Sequence, residues 1–379
     1  LDADGSGSLA DAAASGAAAF VDVDCEDSEL AAILYTSGTT GRSKGAMLTH
    51  RNLASNAEAL TAAWHFTDED VLLHALPMYH THGLFVATNV TLLAGASMML
   101  LPRFGVDDIF AAMPEASVMM GVPTFYSRLL GSSRLNRNST DHMRLFISGS
   151  APLSPDVHRR FAERTGHAVL ERYGMTETNM NTSNPYDGER RPGTVGFPLP
   201  GVEIRIADLE TSEPVAPGEV GVIEIRGPNV FEGYWRMPEK TAGAFRDDGY
   251  FISGDLGRLD EAGYVQIVGR DKDLIISGGL NVYPAEIEAA LDGLDGIAES
   301  AVVGLPHTDF GEGVTAIVVA VGDGVNDAAE EKVRKALGST LAGYKIPKRV
   351  IAVDTLPRNA MGKVQKNVLR QTYTDLYSQ

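Results

Sequence analysis

Short apolar runs alternate with amphipathic segments along residues 29–175, and this alternation is the feature that most constrains the fold. Strands are predicted at residues 30–35, 71–76, 97–101, 117–122 and 144–148, and helices at residues 52–64, 83–93, 106–113, 124–130 and 155–165. A chain that alternates in this way typically forms an α/β fold, with a mostly parallel sheet covered by helices. Ligands of such sheets bind at the carboxyl ends of the strands.

The pattern changes twice further along the chain. Residues 202–207 and 220–226 alternate or run apolar between Pro-Gly turns, which predicts a β-rich subdomain over about 194–269. A charged stretch at 270–273 follows, and then a compact α+β pattern runs to residue 379. We therefore predict a large core domain at 29–269, a hinge at 270–273 and a small domain at 274–379. Residues 1–28 are expected to be a flexible linker, with an Ala-rich helix as the alternative.

Composition excludes several classes of partner. The formal net charge of −18, from 32 basic and 50 acidic residues, argues against nucleic acid and anionic membranes. No apolar run reaches transmembrane length, and residues 1–20 are not expected to act as a signal peptide. Cys25 is the only cysteine, which excludes disulfides within the chain and favours a reducing compartment. A cytoplasmic location is the expectation.

Residues 35–45 read YTSGTTGRSKG and directly follow the first predicted strand. Glycines leave backbone N–H groups unobstructed, and a nest of such donors suits phosphate oxygens. The segment differs from a Walker loop because Lys44 is followed by Gly45. An ordinary polar surface loop is the alternative. The predicted phosphate-binding residues are Thr36, Ser37, Gly38, Thr39, Thr40, Gly41 and Lys44.

Two carboxylates stand in suitable places for a nucleotide. Glu177 lies in RYGMTET, and Mg²⁺ bound to a nucleotide commonly takes one or two protein carboxylates. Asp255 lies in the Gly-flanked turn SGDLG, and a carboxylate there suits two ribose hydroxyls. Ordinary turn residues are the alternative for both. His80 and His82 raise the question of zinc, but no third and fourth ligand is apparent, so a zinc site is not expected.

Lys363 lies in LPRNAMGKV, far along the chain from the glycine-rich segment. A mobile domain that brings this amine beside an α-phosphate would stabilise the charge that develops during attack on phosphorus. The alternative is a solvated lysine in a basic tail. Acetylation would remove its charge, so a lysine acetyltransferase is a candidate partner.

Together, residues 35–45, 172–178, 253–257 and 356–364 resemble the motifs of the adenylate-forming superfamily, which includes acyl-CoA synthetases, luciferases and nonribosomal-peptide adenylation domains. The resemblance covers most of the chain. Members usually carry a further subdomain before the glycine-rich segment, so the N-terminal part of the family fold is expected to be missing. The resemblance implies ATP, Mg²⁺ and coenzyme A as reactants, and a small mobile domain that turns about Lys272.

The resemblance also implies a role for individual residues. Lys363, Thr176 and Glu177 would act in adenylation, with Glu177 holding the metal. The nucleotide would be bound by Ser150, Ala151, Pro152, Glu171, Arg172, Tyr173, Gly174, Met175, Asp255 and Arg270, with Tyr173 against the adenine. Coenzyme A would pass along Ser277, Gly278 and Gly279.

Residues 77–84, 121–130, 180–186 and 356–366 resemble malonyl-CoA synthetases in particular. The second carboxylate of malonate needs a partner, because burying a charge alone is very costly. The resemblance gives this role to Arg128, with Arg190 and Arg191 as rivals. His80, Thr81, Ser148 and Met180 would line the acyl pocket.

The expected function is therefore an AMP-forming malonate–CoA ligase. One alternative is a CoA ligase for another small acid, such as methylmalonate, acetate or an aryl acid. The other is a nucleotide-binding fragment without complete catalysis.

Overall fold

The structure, a computed structural model, describes residues 6–16, 21–36, 43–320, 327–358 and 363–377. Five of the predicted phosphate-binding residues lie outside these ranges: Ser37, Gly38, Thr39, Thr40 and Gly41.

The strands are β1 (Leu30–Thr36), β2 (Lys44–Thr49), β3 (Val71–His74), β4 (Ser97–Leu100), β5 (Val118–Gly121), β6 (Leu145–Ser148), β7 (Leu170–Met175), β8 (Asn179–Ser183), β9 (Phe197–Pro198), β10 (Glu203–Ala207), β11 (Gly221–Arg226), β12 (Gly233–Tyr234), β13 (Phe251–Leu259), β14 (Val265–Arg270), β15 (Ile275–Ser277), β16 (Leu280–Val282), β17 (Ile297–His307), β18 (Gly311–Ala320) and β19 (Arg349–Val353). The α-helices are α1 (Ser8–Ser15), α2 (His50–Ala63), α3 (Thr88–Leu93), α4 (Val106–Ala112), α5 (Pro123–Leu130), α6 (Arg137–Thr140), α7 (Pro155–Thr165), α8 (Pro238–Ala242), α9 (Pro284–Asp292), α10 (Asp327–Leu337) and α11 (Lys366–Thr372). A π-helix covers His82–Ala87, and short 3₁₀ helices cover Met113–Glu115, Asp271–Asp273 and Gly343–Lys345.

The central sheet has the strand order β4-β3-β5-β6-β7-β8-β9. Strands β3 to β7 pair in parallel, and β8 and β9 are antiparallel. Every residue of β5 and β6 is buried, as expected for parallel strands covered on both faces. The largest apolar cluster surrounds this sheet and includes Trp64, Phe146 and Phe161, each of which stabilises the fold by roughly 1.5–3 kcal/mol through burial. The predicted α/β architecture is confirmed.

The first predicted strand is an exception. β1 pairs antiparallel with β2, and β2 pairs with β12, so β1 belongs to a separate three-stranded sheet. Thr36 lies opposite Lys44, which means that the glycine-rich segment connects two strands of one hairpin. The expectation that this segment leaves the parallel sheet was wrong. An apolar run indicates a strand but does not reveal which strand it pairs with.

Two further sheets follow along the chain. Strands β10, β11, β13 and β14 form the antiparallel sheet expected of a β-rich subdomain. In the last sheet, β16, β15, β18 and β17 pair in that order, and β19 joins β18 in parallel. Gly278 and Gly279 turn the β15–β16 hairpin with φ of 61° and 77°, a conformation that side chains with a Cβ rarely adopt.

A salt bridge joins the last helix, α11, to the short 3₁₀ helix Asp271–Asp273, which follows β14. Arg370 Nη2 lies 2.7 Å from Asp273 Oδ1, which connects α11 to the predicted hinge.

Two local features differ from the sequence expectation. The predicted N-terminal linker contains α1, in agreement with the helical alternative for part of its length. The helix predicted at 83–93 begins as the π-helix and continues as α3. Gly83 is required there because a Cβ would lie 2.3 Å from the carbonyl oxygen of Pro77. π-Helical turns occur frequently at functional sites. In the part of the chain that the structure describes, no helix has the length and apolar character needed to cross a bilayer.

Candidate active site

A buried carboxylate and an arginine face each other across two strands. Asp255 on β13 and Arg270 on β14 are register partners, and Arg270 Nε lies 2.6 Å from Asp255 Oδ1. The hydroxyl of Tyr173 on β7 donates to Asp255 Oδ2 at 2.6 Å. Burial raises the pKa of Tyr173, and the nearby charge of Asp255 raises it further, so this hydroxyl stays a donor. The structure thus brings together three residues that the sequence assigned to the nucleoside.

Lys44, Tyr234 and Glu177 form a second group, beside the glycine-rich segment. Lys44 Nζ donates to the Tyr234 hydroxyl at 3.1 Å and lies 4.2 Å from the centre of its ring. The same hydroxyl donates to Glu177 Oε1 at 3.0 Å. Burial lowers the pKa of Lys44, with further lowering by Lys240 and Arg270 and an opposing effect of Glu177. These residues line an open cleft of about 390 Å³.

Lys363 comes from the C-terminal half, yet it lies within range of these charges. Burial of its amine lowers its pKa, and the charges that act on it include Arg270, Asp255 and Glu177. The residue as a whole keeps exposed surface, so solvent weakens these interactions. Lys44 from near the start of the core, Arg270 from the end of β14 and Lys363 from the far end of the chain therefore act on one region.

Several buried polar groups beside this region have no hydrogen-bond partner among the described residues. They include Thr81 Oγ1, His82 Nε2, Ser148 Oγ, and both Nε and Nη2 of Arg172. These side chains come from the start of the π-helix, the end of β6 and the middle of β7. Buried polar groups are normally satisfied, so a cluster of unsatisfied groups indicates a binding site.

The loop after β6 has a strained backbone beside this cluster. Ser150 has φ of 70°, which is uncommon for a residue with a side chain, and its hydroxyl lies 3.2 Å from His82 Nδ1. Such strain costs roughly 1–3 kcal/mol and is found chiefly at functional sites. Burial lowers the pKa of His82 well below its usual value, so this imidazole is neutral at pH 7.

The cations proposed for the second carboxylate lie elsewhere. Arg128 is exposed on α5, and its guanidinium lies 6.0 Å from the ring of Phe104. Arg190 donates to three backbone carbonyls, at 2.8–3.2 Å. Arg191 forms salt bridges with Glu189 and Asp260. Substrate binding by Arg128 and Arg190 stays a prediction, but the structure does not place either with the unsatisfied groups.

The remaining candidates are distributed as follows. Ala151 and Pro152 lie in the loop after β6, Glu171, Gly174 and Met175 on β7, Thr176 in the β7–β8 turn, Met180 on β8, Thr36 at the end of β1, and His80 before the π-helix. Ser277, Gly278 and Gly279 occupy the β15–β16 hairpin, and Lys272 lies in the 3₁₀ helix Asp271–Asp273. Sequence reasoning missed Tyr234, because nothing local marks a tyrosine on a two-residue strand as the link between Lys44 and Glu177.

Comparison with known proteins identifies the family. The model for AMP-binding enzymes matches residues 2–235, and the model for the C-terminal domain of these enzymes matches residues 286–363. This chain is a member of the AMP-binding enzyme family. The structure of ATP-bound MatB from Rhodopseudomonas palustris matches with 63% sequence identity and a TM-score of 0.95, covering 99% of this chain and 74% of that one.

The malonate–CoA ligase of Arabidopsis thaliana is 41% identical over 371 residues, covering 90% of this chain. The chain spans about 60% of the length of that protein and 61% of a probable CoA ligase from Humulus lupulus. The structure of the apo form of the same MatB matches this AMP-binding enzyme with a TM-score of 0.81, lower than the 0.95 of the ATP-bound form. Sequence identity and coverage are equal for the two forms. The backbone of this chain is therefore more similar to the ATP-bound form than to the apo form.

Proposed function

We propose that this protein is an ATP-dependent malonate–CoA ligase. In the first half-reaction, a malonate carboxylate oxygen attacks the α-phosphorus of ATP, and the bond from that phosphorus to pyrophosphate breaks. In the second, the thiol of coenzyme A attacks the acyl carbon of malonyl-adenylate, loses its proton, and AMP departs. The observation that carries the proposal is that the charges of Arg270, Asp255 and Glu177 act on the amine of Lys363, although Lys363 comes from the far end of the chain.

The contacts support a role for each residue in the first half-reaction. Asp255, fixed by Tyr173 and Arg270, presents a carboxylate suited to ribose hydroxyls. Lys44 supplies positive charge beside the glycine-rich segment, where the β- and γ-phosphates would bind. Lys363 would stabilise the charge that develops at the α-phosphate. The names of the malonate-specific relatives support malonate as the acid.

Glu177 fits a magnesium ion. Its carboxylate is buried, and one of its oxygens accepts a hydrogen bond from Tyr234. Mg²⁺ commonly takes one or two protein carboxylates and completes its coordination with phosphate oxygens and water, so a single carboxylate suits it. When bound, Mg²⁺ would neutralise phosphate charge, and Glu177 would hold it in place.

We propose that residues 274–379 form a domain that turns about Lys272 between the half-reactions. The higher similarity to the ATP-bound form supports an arrangement suited to adenylation. Rotation would withdraw Lys363 and bring the hairpin with Ser277, Gly278 and Gly279 towards the thiol route. A cysteine pair that locks the present arrangement should permit pyrophosphate release but block formation of the thioester.

The test is pyrophosphate release from the purified protein with ATP, Mg²⁺ and one acid at a time. Malonate should give the highest rate in a panel with methylmalonate, acetate and benzoate. No release with any acid, from protein whose fluorescence and circular dichroism indicate folding, would favour a nucleotide-binding protein without catalysis. A higher rate with another acid would favour a different CoA ligase.

Two further proposals concern regulation by acetylation and location in the cell. A lysine acetyltransferase acting on Lys363 would remove its charge and stop adenylation; modified protein that keeps its rate would contradict this. A cytoplasmic location is supported by the single cysteine, Cys25, which is exposed. Fractionation of the source cells would test it.

A further inference from the structure

We infer that Tyr234 is a positioning residue that keeps the charges of Lys44 and Glu177 apart, so that the amine stays available to the phosphates of ATP and the carboxylate to Mg²⁺. The inference rests on the proposed function, which gives Lys44 and Glu177 these two roles. Tyr234 would act through both residues rather than on the nucleotide itself.

The hydroxyl of Tyr234 is hydrogen-bonded to both charged groups. Lys44 Nζ donates to it at 3.1 Å, and the hydroxyl donates to Glu177 Oε1 at 3.0 Å. An ammonium has only donors and an ionised carboxylate only acceptors, whereas a hydroxyl is both, so the direction of each hydrogen bond is fixed. Burial and the charge of Glu177 raise the pKa of Tyr234, so the hydroxyl keeps its proton and stays a donor.

The backbone fixes Tyr234 beside the strand that carries Lys44. Lys44 is the first residue of β2, and β12 pairs with that strand so that Tyr234 lies opposite Ala46. The backbone N–H of Trp235 donates to the carbonyl oxygen of Gly45 at 2.7 Å, directly after Lys44. The distance between the hydroxyl and the amine is therefore set by strand pairing.

The same short segment is also attached to Glu177. The backbone N–H of Phe231 donates to the carbonyl oxygen of Glu177 at 2.8 Å, and the rings of Phe231 and Tyr234 pack edge to face with their centres 4.8 Å apart. The backbone N–H of Tyr234 donates to Thr241 Oγ1 at 2.9 Å. Tyr234 is thus held from both sides, as a residue that sets the positions of two others must be.

The separation matters because the two charges attract each other. Glu177 is buried, and its charge acts on the amine of Lys44. A direct salt bridge would use both groups, and ATP with its metal would have to break that pair in order to bind. Through the hydroxyl, the ammonium uses only one of its donors and the carboxylate only one of its oxygens.

The other charges around the cleft do not take over this role. Lys240 and Arg270 line the cleft with Lys44, and both lower the pKa of its amine, so they repel the ammonium. Arg270 is paired with Asp255 at 2.6 Å. Glu177 is therefore the group that attracts Lys44, and the hydroxyl of Tyr234 joins the two.

The experiment is calorimetric titration with ATP and Mg²⁺ in the absence of any acid, so that no adenylate forms. Tyr234→Phe keeps the ring 4.2 Å from Lys44 Nζ and removes the hydroxyl; we expect it to raise the Kd of ATP about tenfold. Tyr264→Phe is the matched control, because that hydroxyl donates to the carbonyl oxygen of Glu189 at 2.8 Å and the guanidinium of Arg191 lies 4.1 Å from the ring centre. It should change the Kd by less than about twofold.

A double-variant cycle distinguishes positioning from a structural role. In a Lys44→Met background no ammonium is left to pair with Glu177, so Tyr234→Phe should raise the Kd by less than about twofold. An equal rise of the Kd in both backgrounds would overturn the inference, because the hydroxyl would then act without the amine. An unchanged Kd for Tyr234→Phe alone would overturn it as well.

Crystal structures give a second measurement. Tyr234→Phe without ligand should show a direct salt bridge between Lys44 and Glu177, and side chains that remain apart would contradict the inference. Wild-type crystals with ATP and Mg²⁺ should show the Tyr234 hydroxyl still bonded to Glu177. A hydroxyl bonded to a phosphate oxygen instead would replace the positioning role by direct binding of ATP.

The outcome is separate from that of the proposed function, because ATP binding needs no acid. Wild-type protein that binds ATP but releases no pyrophosphate with malonate would refute the proposed ligase, and the Kd values would still decide the role of Tyr234. During turnover, Tyr234→Phe should raise the KM for ATP and leave the KM for malonate within about twofold. An equal rise of both KM values would indicate a structural role and overturn the inference.

Discussion

The hydrogen bond from Tyr173 to Asp255 offers a quantitative test of the site. Both residues are buried, with exposed fractions of 7% and 3%, and their oxygens are 2.6 Å apart. A hydrogen bond to an ionised partner contributes about 1.5–3 kcal/mol. Tyr173→Phe should therefore lower the free energy of unfolding by about this amount.

Asp255→Ala should cost slightly more, because it removes the acceptor of this hydrogen bond and also the interaction with Arg270. That arginine side chain is 40% exposed, so its share is discounted to less than about 1 kcal/mol. The expected loss for Asp255→Ala is about 2–4 kcal/mol. The shared hydrogen bond is lost only once in the double variant. Its loss of unfolding free energy should therefore be smaller than the sum of the two single losses by about 1.5–3 kcal/mol.

Urea unfolding followed by tryptophan fluorescence measures these values. The chain has two tryptophans, and Trp235→Phe leaves Trp64, which is fully buried in the main apolar cluster, as the reporter. Tyr250→Phe is the matched control, because that hydroxyl donates to Glu203, whose side chain is 57% exposed. It should cost at most about 1 kcal/mol. A coupling free energy below about 0.5 kcal/mol between Tyr173 and Asp255 would refute the reasoning.

Three other predictions concern the reaction and its pH dependence. Lys363→Ala should slow malonate-dependent pyrophosphate release by about a hundredfold or more, yet leave thioester formation from prepared malonyl-adenylate nearly unchanged; equal losses in both assays would contradict its role. Gly149→Ala should displace the guanidinium of Arg172, since the new Cβ would lie 2.4 Å from Cζ, and slow malonate-dependent pyrophosphate release; an unchanged rate would contradict this. Burial lowers the pKa of His80 from 6.5 to about 4, helped by the charges of Lys363 and Arg172. Between pH 6.5 and about 4 the unfolded chain therefore binds more protons than the folded chain. The stability that neutral His80 contributes is complete above pH 6.5 and is lost as the pH falls towards 4, so His80→Gln should make the free energy of unfolding depend less on pH in this range.

The sequence predicted the central sheet well because its strands and helices have strong, distinct periodicities. The structure places β6 at Leu145–Ser148 and α7 at Pro155–Thr165, against predictions of 144–148 and 155–165. The pairing of β1 was not predictable, because an apolar run carries no information about its partner. The π-helix was missed because its apolar pattern resembles that of an α-helix.

The candidate site was predicted residue by residue but not in its geometry. Motifs selected Asp255, Arg270 and Tyr173, and the structure brings them together. The surroundings of the candidate arginines were harder to predict, because the sequence does not reveal which side chains are exposed. Arg128 follows a favourable motif but faces solvent, whereas Arg172 looked like part of the nucleotide motif and is buried.

The hairpin formed by β1 and β2 has a consequence for engineering. Strand pairing fixes both ends of the connecting segment, at Thr36 and Lys44, and neither strand belongs to the seven-stranded sheet. Replacing or lengthening the segment between them should therefore leave the register of that sheet unchanged. Grafts of foreign phosphate-binding sequences at this point should yield folded proteins whose nucleotide affinity varies while their unfolding free energy stays nearly constant.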